Sequence, residues 1–140
     1  AVMDALTRAQ DARDTMADLL RRTDIALVSA DDERALWGDA DATTTAKRIQ
    51  ALGVGEVVVK SAGDEAILLA KGSRATGVAP ERGVVPVDST AAGDSFNAAY
   101  LAARLAEAPP LDAVVISTVT SGPLSPRWPC RYIAPLSFQF

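Results

Sequence analysis

Histidine is absent from this 140-residue chain, and cysteine occurs only once, as Cys130. Without histidine the chain cannot form a Ser-His-Asp triad or a zinc site with imidazole ligands. A single cysteine also excludes an internal disulfide framework and a thiolate metal cluster. Aromatic residues make up only 5% of the chain, whereas hydrophobic residues make up 49%. Any core is therefore built mainly from alanine, valine, leucine and isoleucine.

Long apolar runs and an excess of basic residues are missing as well. No segment approaches the roughly 20 apolar residues of a membrane-spanning helix, and the charged N-terminal segment lacks the apolar stretch of a signal peptide. The formal net charge is −4, with the basic residues scattered along the chain. This charge argues against nucleic-acid binding, which requires a basic face. We expect a cytoplasmic protein without nucleic-acid or membrane partners.

Segments with helical and strand-like patterns alternate along the chain, as in an α/β fold with a layered sheet that is parallel in its main part. Past position 111 the sequence has little helical periodicity and several prolines, so no further helix is predicted there. The predicted helices span residues 4–22, 30–38, 41–52 and the segment after Gly93 up to the prolines at 109 and 110; the predicted strands span 24–29, 56–60, 66–70 and 84–87.

The most informative segment is VDSTAAGDSFNAAYLAARL, residues 87–105. The small residues Ala91, Ala92 and Gly93 let the backbone approach a ligand closely. A helix that begins there offers unpaired N–H groups and a positive dipole end to an anion. Asp94 could accept a proton from an attacking hydroxyl while the amides hold a phosphoryl group. The alternative is an ordinary helix start after a tight turn, with Asp94 favourable in the first turn.

This segment resembles the C-terminal signature D-[TS]-T-G-A-G-D-x-F of the ribokinase-like (PfkB-type) carbohydrate kinases. Ala91 replaces the usual glycine, as is typical of the branch that phosphorylates 2-keto-3-deoxygluconate. TDIALVSADDERALWGD and ALGVGEVVVK are also similar to that branch. The resemblance implies a ribokinase-like three-layer α/β/α sandwich, of which this chain is the C-terminal nucleotide-binding half.

The resemblance also implies roles for individual residues. Asp94 would be the catalytic base and would contact the sugar hydroxyl, and Asp88 would shape the turn near the nucleotide. The amides of Ala91, Ala92, Gly93 and Asp94 would form the anion hole for the γ-phosphate of ATP.

Two further segments resemble family motifs only in part. KSAGDEA, residues 60–66, stands where the family has K-x-G-x-x-G, so Lys60, Ser61, Gly63 and Asp64 are expected near ATP. A plain hairpin turn is the alternative. SADD, residues 29–32, stands where the family has N-x-x-E, and Asp32 would face Mg²⁺ or its waters. Its alternative is a favourable first helical turn.

The implied parent activity is ATP- and Mg²⁺-dependent phosphorylation of 2-keto-3-deoxy-D-gluconate by a homo-oligomeric enzyme. Alternatives are another PfkB-type kinase, such as a fructokinase, or a non-catalytic nucleotide-binding fragment. The resemblance covers residues 1–112, and residues 113–140 form a divergent tail for which a shifted reading frame is one hypothesis. Because the lid and most sugar contacts of the family lie outside the resemblance, we expect this chain to be inactive alone.

Overall fold

The structure is a computed structural model that describes residues 2–62, 64–80 and 92–120, the side chains of the last two excepted. This part of the chain contains five helices and four strands. The helices are α1 (Val2–Leu20), α2 (Ala30–Trp37), α3 (Ala42–Ala51), α4 (Ala92–Leu105) and α5 (Pro110–Thr120); the strands are β1 (Ile25–Ser29), β2 (Glu56–Lys60), β3 (Ala66–Ala70) and β4 (Thr76–Val78). Their order along the chain is α1-β1-α2-α3-β2-β3-β4-α4-α5.

The four strands form one sheet in the order β1-β2-β3-β4. Strands β1 and β2 are parallel, with Leu27 opposite Val58. The two remaining pairs, β2 with β3 and β3 with β4, are antiparallel. The expected pairing of β3 with β2 across a turn is therefore confirmed. The prediction of a mainly parallel sheet is wrong for the described strands, because only the β1–β2 connection is long enough to contain crossover helices.

Helices cover both faces of the sheet, and this gives the predicted three layers. Successive side chains of a strand point to opposite faces. Val57 and Val59 accordingly pack with Ile49 of α3, in a cluster that also includes Leu20. Val58 packs on the other face, in a cluster with residues of α4 and α5. The sheet thus carries two hydrophobic layers, and β2 contributes to both.

Local signals set the ends of α2 and α3. Asp41 caps α3, since its side chain accepts the backbone N–H of Thr44. Gly38 ends α2 in the left-handed conformation, with φ of 77°, which a glycine adopts at low cost. Helix α1 lies on the surface as predicted, and Leu20 is its only buried residue.

The segment after position 109 differs from the sequence prediction. Helix α5 spans Pro110–Thr120, although no helix was expected past position 111. Proline is favourable at the first helical position, where no N–H is needed. Ala113, Val114 and Ser117 are fully buried, so tertiary packing outweighs the weak local preference of this β-branched segment. The division of the chain at residue 112 stays a prediction, and the predicted strand 84–87 lies outside the described residues.

None of the helices in the described ranges is long and apolar enough to cross a membrane.

Candidate functional site

Lys60 is the last residue of β2, and its side chain points towards α4. Its Nζ donates a hydrogen bond to Asn97 Oδ1 at 2.7 Å. The same nitrogen lies 5.8 Å from the centroid of the Phe96 ring. Because Lys60 is half-buried, its ammonium group has a restricted position at the carboxyl ends of the two parallel strands. Open α/β sheets bind ligands at the carboxyl ends of their strands.

The first turn of α4 lies beside this ammonium group. The helix begins at Ala92 and contains Asp94 in its first turn. A Cβ atom built on Gly93 would lie 3.7 Å from Lys60 Nζ, so the glycine backbone directly faces the lysine. The N–H groups of a first turn have no partner within the helix and favour an anion. Backbone amides and a lysine therefore converge at one place.

Two carboxylates favour the protonated form of Lys60. Burial lowers the pKa of Lys60 from its ordinary value, while the negative charges of Asp94 and Asp32 act in the opposite direction. Both aspartates are themselves exposed. The structure thus brings together Lys60, Gly93, Asp94 and Asp32, although the sequence places them in three separate segments.

Asp32 belongs to the first turn of α2, directly after β1. The Ser29 hydroxyl accepts the backbone N–H of Asp32 at 3.5 Å, so Ser29 is the N-cap of this helix. Among residues 2–62, 64–80 and 92–120, no group of three or more His, Cys, Asp or Glu side chains could hold a metal ion. A role for Asp32 in metal binding therefore stays a prediction.

Ser61 and Asp64 line a separate polar cleft of about 370 Å³. The cleft lies between the β2–β3 turn and the N-terminal turns of two helices, and its walls include Asp31, Arg34 and Thr43. Ser61 directly follows Lys60 in the chain, but among the described residues the lining of the cleft includes neither Lys60 nor a residue of α4. Gly63 and Ala91, which complete the two predicted motifs, lie outside the described residues, as does Asp88.

The sequence analysis did not identify Asn97 as part of the site. The sequence does contain a signal for this residue, because Asn97 follows Phe96 in an otherwise alanine-rich helix and asparagine is a weak helix former. A polar residue beside the buried Phe96 suggests a specific partner. Which partner it has could not be inferred, since Lys60 is 37 residues away in sequence.

The chain matches the pfkB family carbohydrate kinases over residues 1–122. Among curated relatives, the 2-dehydro-3-deoxygluconokinase of Dickeya dadantii is 40% identical over 100 residues, which cover 69% of this chain and 32% of the relative. The enzyme of the same name from Haemophilus influenzae is 41% identical over 93 residues, covering 66% of this chain and 30% of the relative. The chain thus spans about a third of the length of these relatives.

Solved structures agree with this match. A PfkB protein from Polaromonas sp. JS666 is 28% identical and superposes with a TM-score of 0.67 over 78% of this chain and 34% of the other. An E. coli protein assigned as a ribokinase II, solved with ATP and Mg²⁺, is 25% identical with a TM-score of 0.68, over 80% of this chain and 36% of the other. The ribokinase-like fold is therefore confirmed. Because the family match spans most of its residues, the chain belongs to the pfkB family of carbohydrate kinases.

Proposed function

We propose that this chain forms the phosphate-binding part of an ATP-dependent sugar kinase. The observation that carries the proposal is the position of Lys60 Nζ, which is fixed by Asn97 and faces the Gly93 backbone in the first turn of α4. An ammonium group and unpaired amides at one helix N-terminus suit a phosphate group. Asp94 on the same turn is a base beside that anion site.

Each residue has a distinct role in this proposal. The amides of Ala91, Ala92, Gly93 and Asp94 hold the oxygens of the transferring phosphoryl group, and Lys60 neutralises part of its charge. Asp94 accepts the proton of the sugar hydroxyl as that oxygen forms its bond to phosphorus. Ser61, Gly63 and Asp64 lie along the nucleotide.

The acidic groups near Lys60 fit the metal that such a reaction requires. Asp32 is exposed, and its negative charge favours the protonated form of Lys60. An exposed carboxylate of this kind binds Mg²⁺ or its hydration waters. Mg²⁺ when bound would neutralise phosphate charge. Its protein contacts would be few, as is usual for Mg²⁺ held with phosphates.

The proposed substrate is 2-keto-3-deoxy-D-gluconate, which would be phosphorylated to its 6-phosphate. Support comes from the names of the curated relatives, which are 39–41% identical to this chain. The family match, over residues 1–122, includes the first turn of α4, where the phosphoryl group would be transferred.

Calorimetric titration of Mg·ATP tests the proposal. Lys60→Met should weaken binding about tenfold or more, because it removes a charge-assisted hydrogen bond to phosphate. Asp94→Asn should leave the affinity within about threefold, because this carboxylate acts on the sugar hydroxyl and not on the nucleotide. The proposal is wrong if the wild-type chain binds no nucleotide, or if Lys60→Met binds as well as wild type.

A coupled assay with the sugar acid tests the substrate. Any phosphorylation of 2-keto-3-deoxy-D-gluconate should fall by about 10²–10⁴-fold in Asp94→Asn, the usual effect of removing a general base. Fructose is the matched comparison substrate. Faster phosphorylation of fructose would replace the proposed substrate while leaving the kinase assignment unchanged.

A further inference from the structure

Strand β2 carries a charged residue at each end of the same face. Glu56 and Lys60 are four residues apart, and side chains two and four residues apart on a strand share a face. Val58, which lies between them, packs with α4 and α5. The face of β2 that supports α4 is thus apolar in the middle and charged at both ends.

At the end of β2 far from the site, Glu56 binds two side chains of α4. Its two carboxylate oxygens accept the Nε and Nη2 groups of Arg104 at 2.9 and 3.0 Å. The Tyr100 hydroxyl also donates to Glu56 Oε1. Glu56 is only 7% exposed and Tyr100 is fully buried, so the bond between them is shielded from water, whereas the Arg104 side chain is 28% exposed. Arg104 Nη1 in addition donates to the carbonyl of Ala108 at 2.6 Å, beyond the end of the helix.

At the end near the site, Lys60 binds Asn97 of the same helix. The two polar contacts are joined by packed rings. Phe96 stacks with Tyr100, with ring centroids 6.4 Å apart and planes inclined by 6°. Lys60 Nζ lies over the Phe96 ring. A continuous line of contacts therefore runs from Glu56 through Tyr100 and Phe96 to Lys60.

The spacing of these contacts fixes the helix in two respects. Four residues of strand span about 13 Å, and the seven residues from Asn97 to Arg104 span about 10 Å of helix. A helix that slipped by one residue would move about 1.5 Å and turn about 100°. Either motion would separate Asn97 from Lys60 and Arg104 from Glu56. Contacts at both ends therefore define the axial position and the rotation of α4 together.

We propose that Glu56, Tyr100 and Arg104 are positioning residues, which hold the first turn of α4 against Lys60 from the far end of the helix. They do not touch the site at Gly93 and Asp94, and they act on it through the position of α4. That the site binds a phosphate group rests on the function proposed above. The placement of Lys60 against α4 does not depend on that function.

The test measures the Lys60 side chain by NMR, without nucleotide, in chain labelled with ¹³C at the lysine ε-carbons. Asn97→Ala identifies how the Lys60 signal changes when its partner is lost. Glu56→Gln should shift the Lys60 signal in the same direction as Asn97→Ala. Tyr100→Phe, which removes one hydroxyl and keeps the Glu56–Arg104 pair, should give a smaller shift in that direction.

Ile49→Val is the matched control. Ile49 is fully buried in α3, in the hydrophobic cluster on the opposite face of the sheet. The substitution Ile49→Val should lower the stability of the protein and leave the contacts between β2 and α4 unchanged. The control should leave the Lys60 signal at its wild-type position, with urea unfolding reporting the stability of every variant.

The two proposals fail in different ways. Lys60 signals that stay at the wild-type position in both Tyr100→Phe and Glu56→Gln, or that move equally in Ile49→Val, would overturn the positioning role. An unfolded Glu56→Gln leaves the decision to Tyr100→Phe. Mg·ATP affinity is measured separately, and Tyr100→Phe should weaken it about threefold or more. Absence of Mg·ATP binding by the wild-type chain would overturn the proposed function but would not alter the NMR result.

Discussion

Arg48 compensates two carboxylates at once, so its removal should destabilise the protein strongly. Its Nη2 lies 2.6 Å from Glu33 Oε2 and 2.7 Å from Asp39 Oδ2. The acidic side chains are only 7% and 8% exposed, and that of Arg48 is 23% exposed. The guanidinium group also lies 4.5 Å from the Trp37 ring centroid. Arg48→Met keeps much of the packing and leaves both carboxylates without their cation.

Removal of one partner of a buried ion pair costs about 3–5 kcal/mol, and we expect Arg48→Met to lose stability in that range at neutral pH. The total free energy of unfolding of a small domain is about 5–15 kcal/mol, so the effect is a large fraction of it. The Arg48 hydrogen bond holds the pKa of Asp39 below its ordinary value. The loss should therefore shrink as the pH falls and Asp39 becomes protonated in the variant.

Urea unfolding followed by tryptophan fluorescence measures this loss, and Trp37 lies directly against the changed side chain. Arg48→Lys is the matched control. It keeps the charge but cannot reproduce the forked geometry of the guanidinium group, and it should lose less stability than Arg48→Met. Adding Asp39→Asn to Arg48→Met should recover part of the loss. A loss below about 1 kcal/mol, with no dependence on pH, would refute the reasoning.

Two further predictions concern α4. Gly93→Ala should stabilise the protein by about 0.5–1 kcal/mol, since alanine is the better helix former. It should also weaken Mg·ATP binding, because the new Cβ lies 3.7 Å from Lys60 Nζ, in the proposed phosphate site; an affinity equal to wild type in calorimetry would contradict this. Burial and the Glu56 hydrogen bond raise the pKa of Tyr100 well above 10.0. The stability it contributes is complete below pH 10 and is lost as the pH rises towards the folded-state pKa, by at most about 1.4 kcal/mol per pH unit. Tyr100→Phe should remove this loss in urea unfolding between pH 9 and 11. Burial lowers the pKa of Lys60, so Lys60 changes the stability in the opposite direction, and it does so equally in both proteins. Parallel profiles of stability against pH for the wild type and Tyr100→Phe would contradict the raised pKa of Tyr100.

The elements that sequence reasoning predicted correctly have strong local signals. Helix α3 has an aspartate cap, a buried stripe at helical spacing and a glycine after its last turn. Strand β2 is a β-branched run, and its hairpin partner follows after a short turn. The prediction failed at α5, whose segment is apolar on nearly all sides, so that no period distinguishes its buried face. There the packing of Ala113 and Val114 decides the conformation.

The sequence by itself determined the family, the helix that carries Asp94 and the general α/β architecture, because motifs, caps and hydrophobic periods act over a few neighbouring residues. Only the tertiary structure decided how charged residues pair. Lys60 meets Asn97 and Glu56 meets Arg104 across 37 and 48 residues of chain. No local pattern encodes such partners, since their distance depends on how β2 and α4 pack. The same packing brings an ammonium group to the first turn of α4 and thereby forms the candidate site.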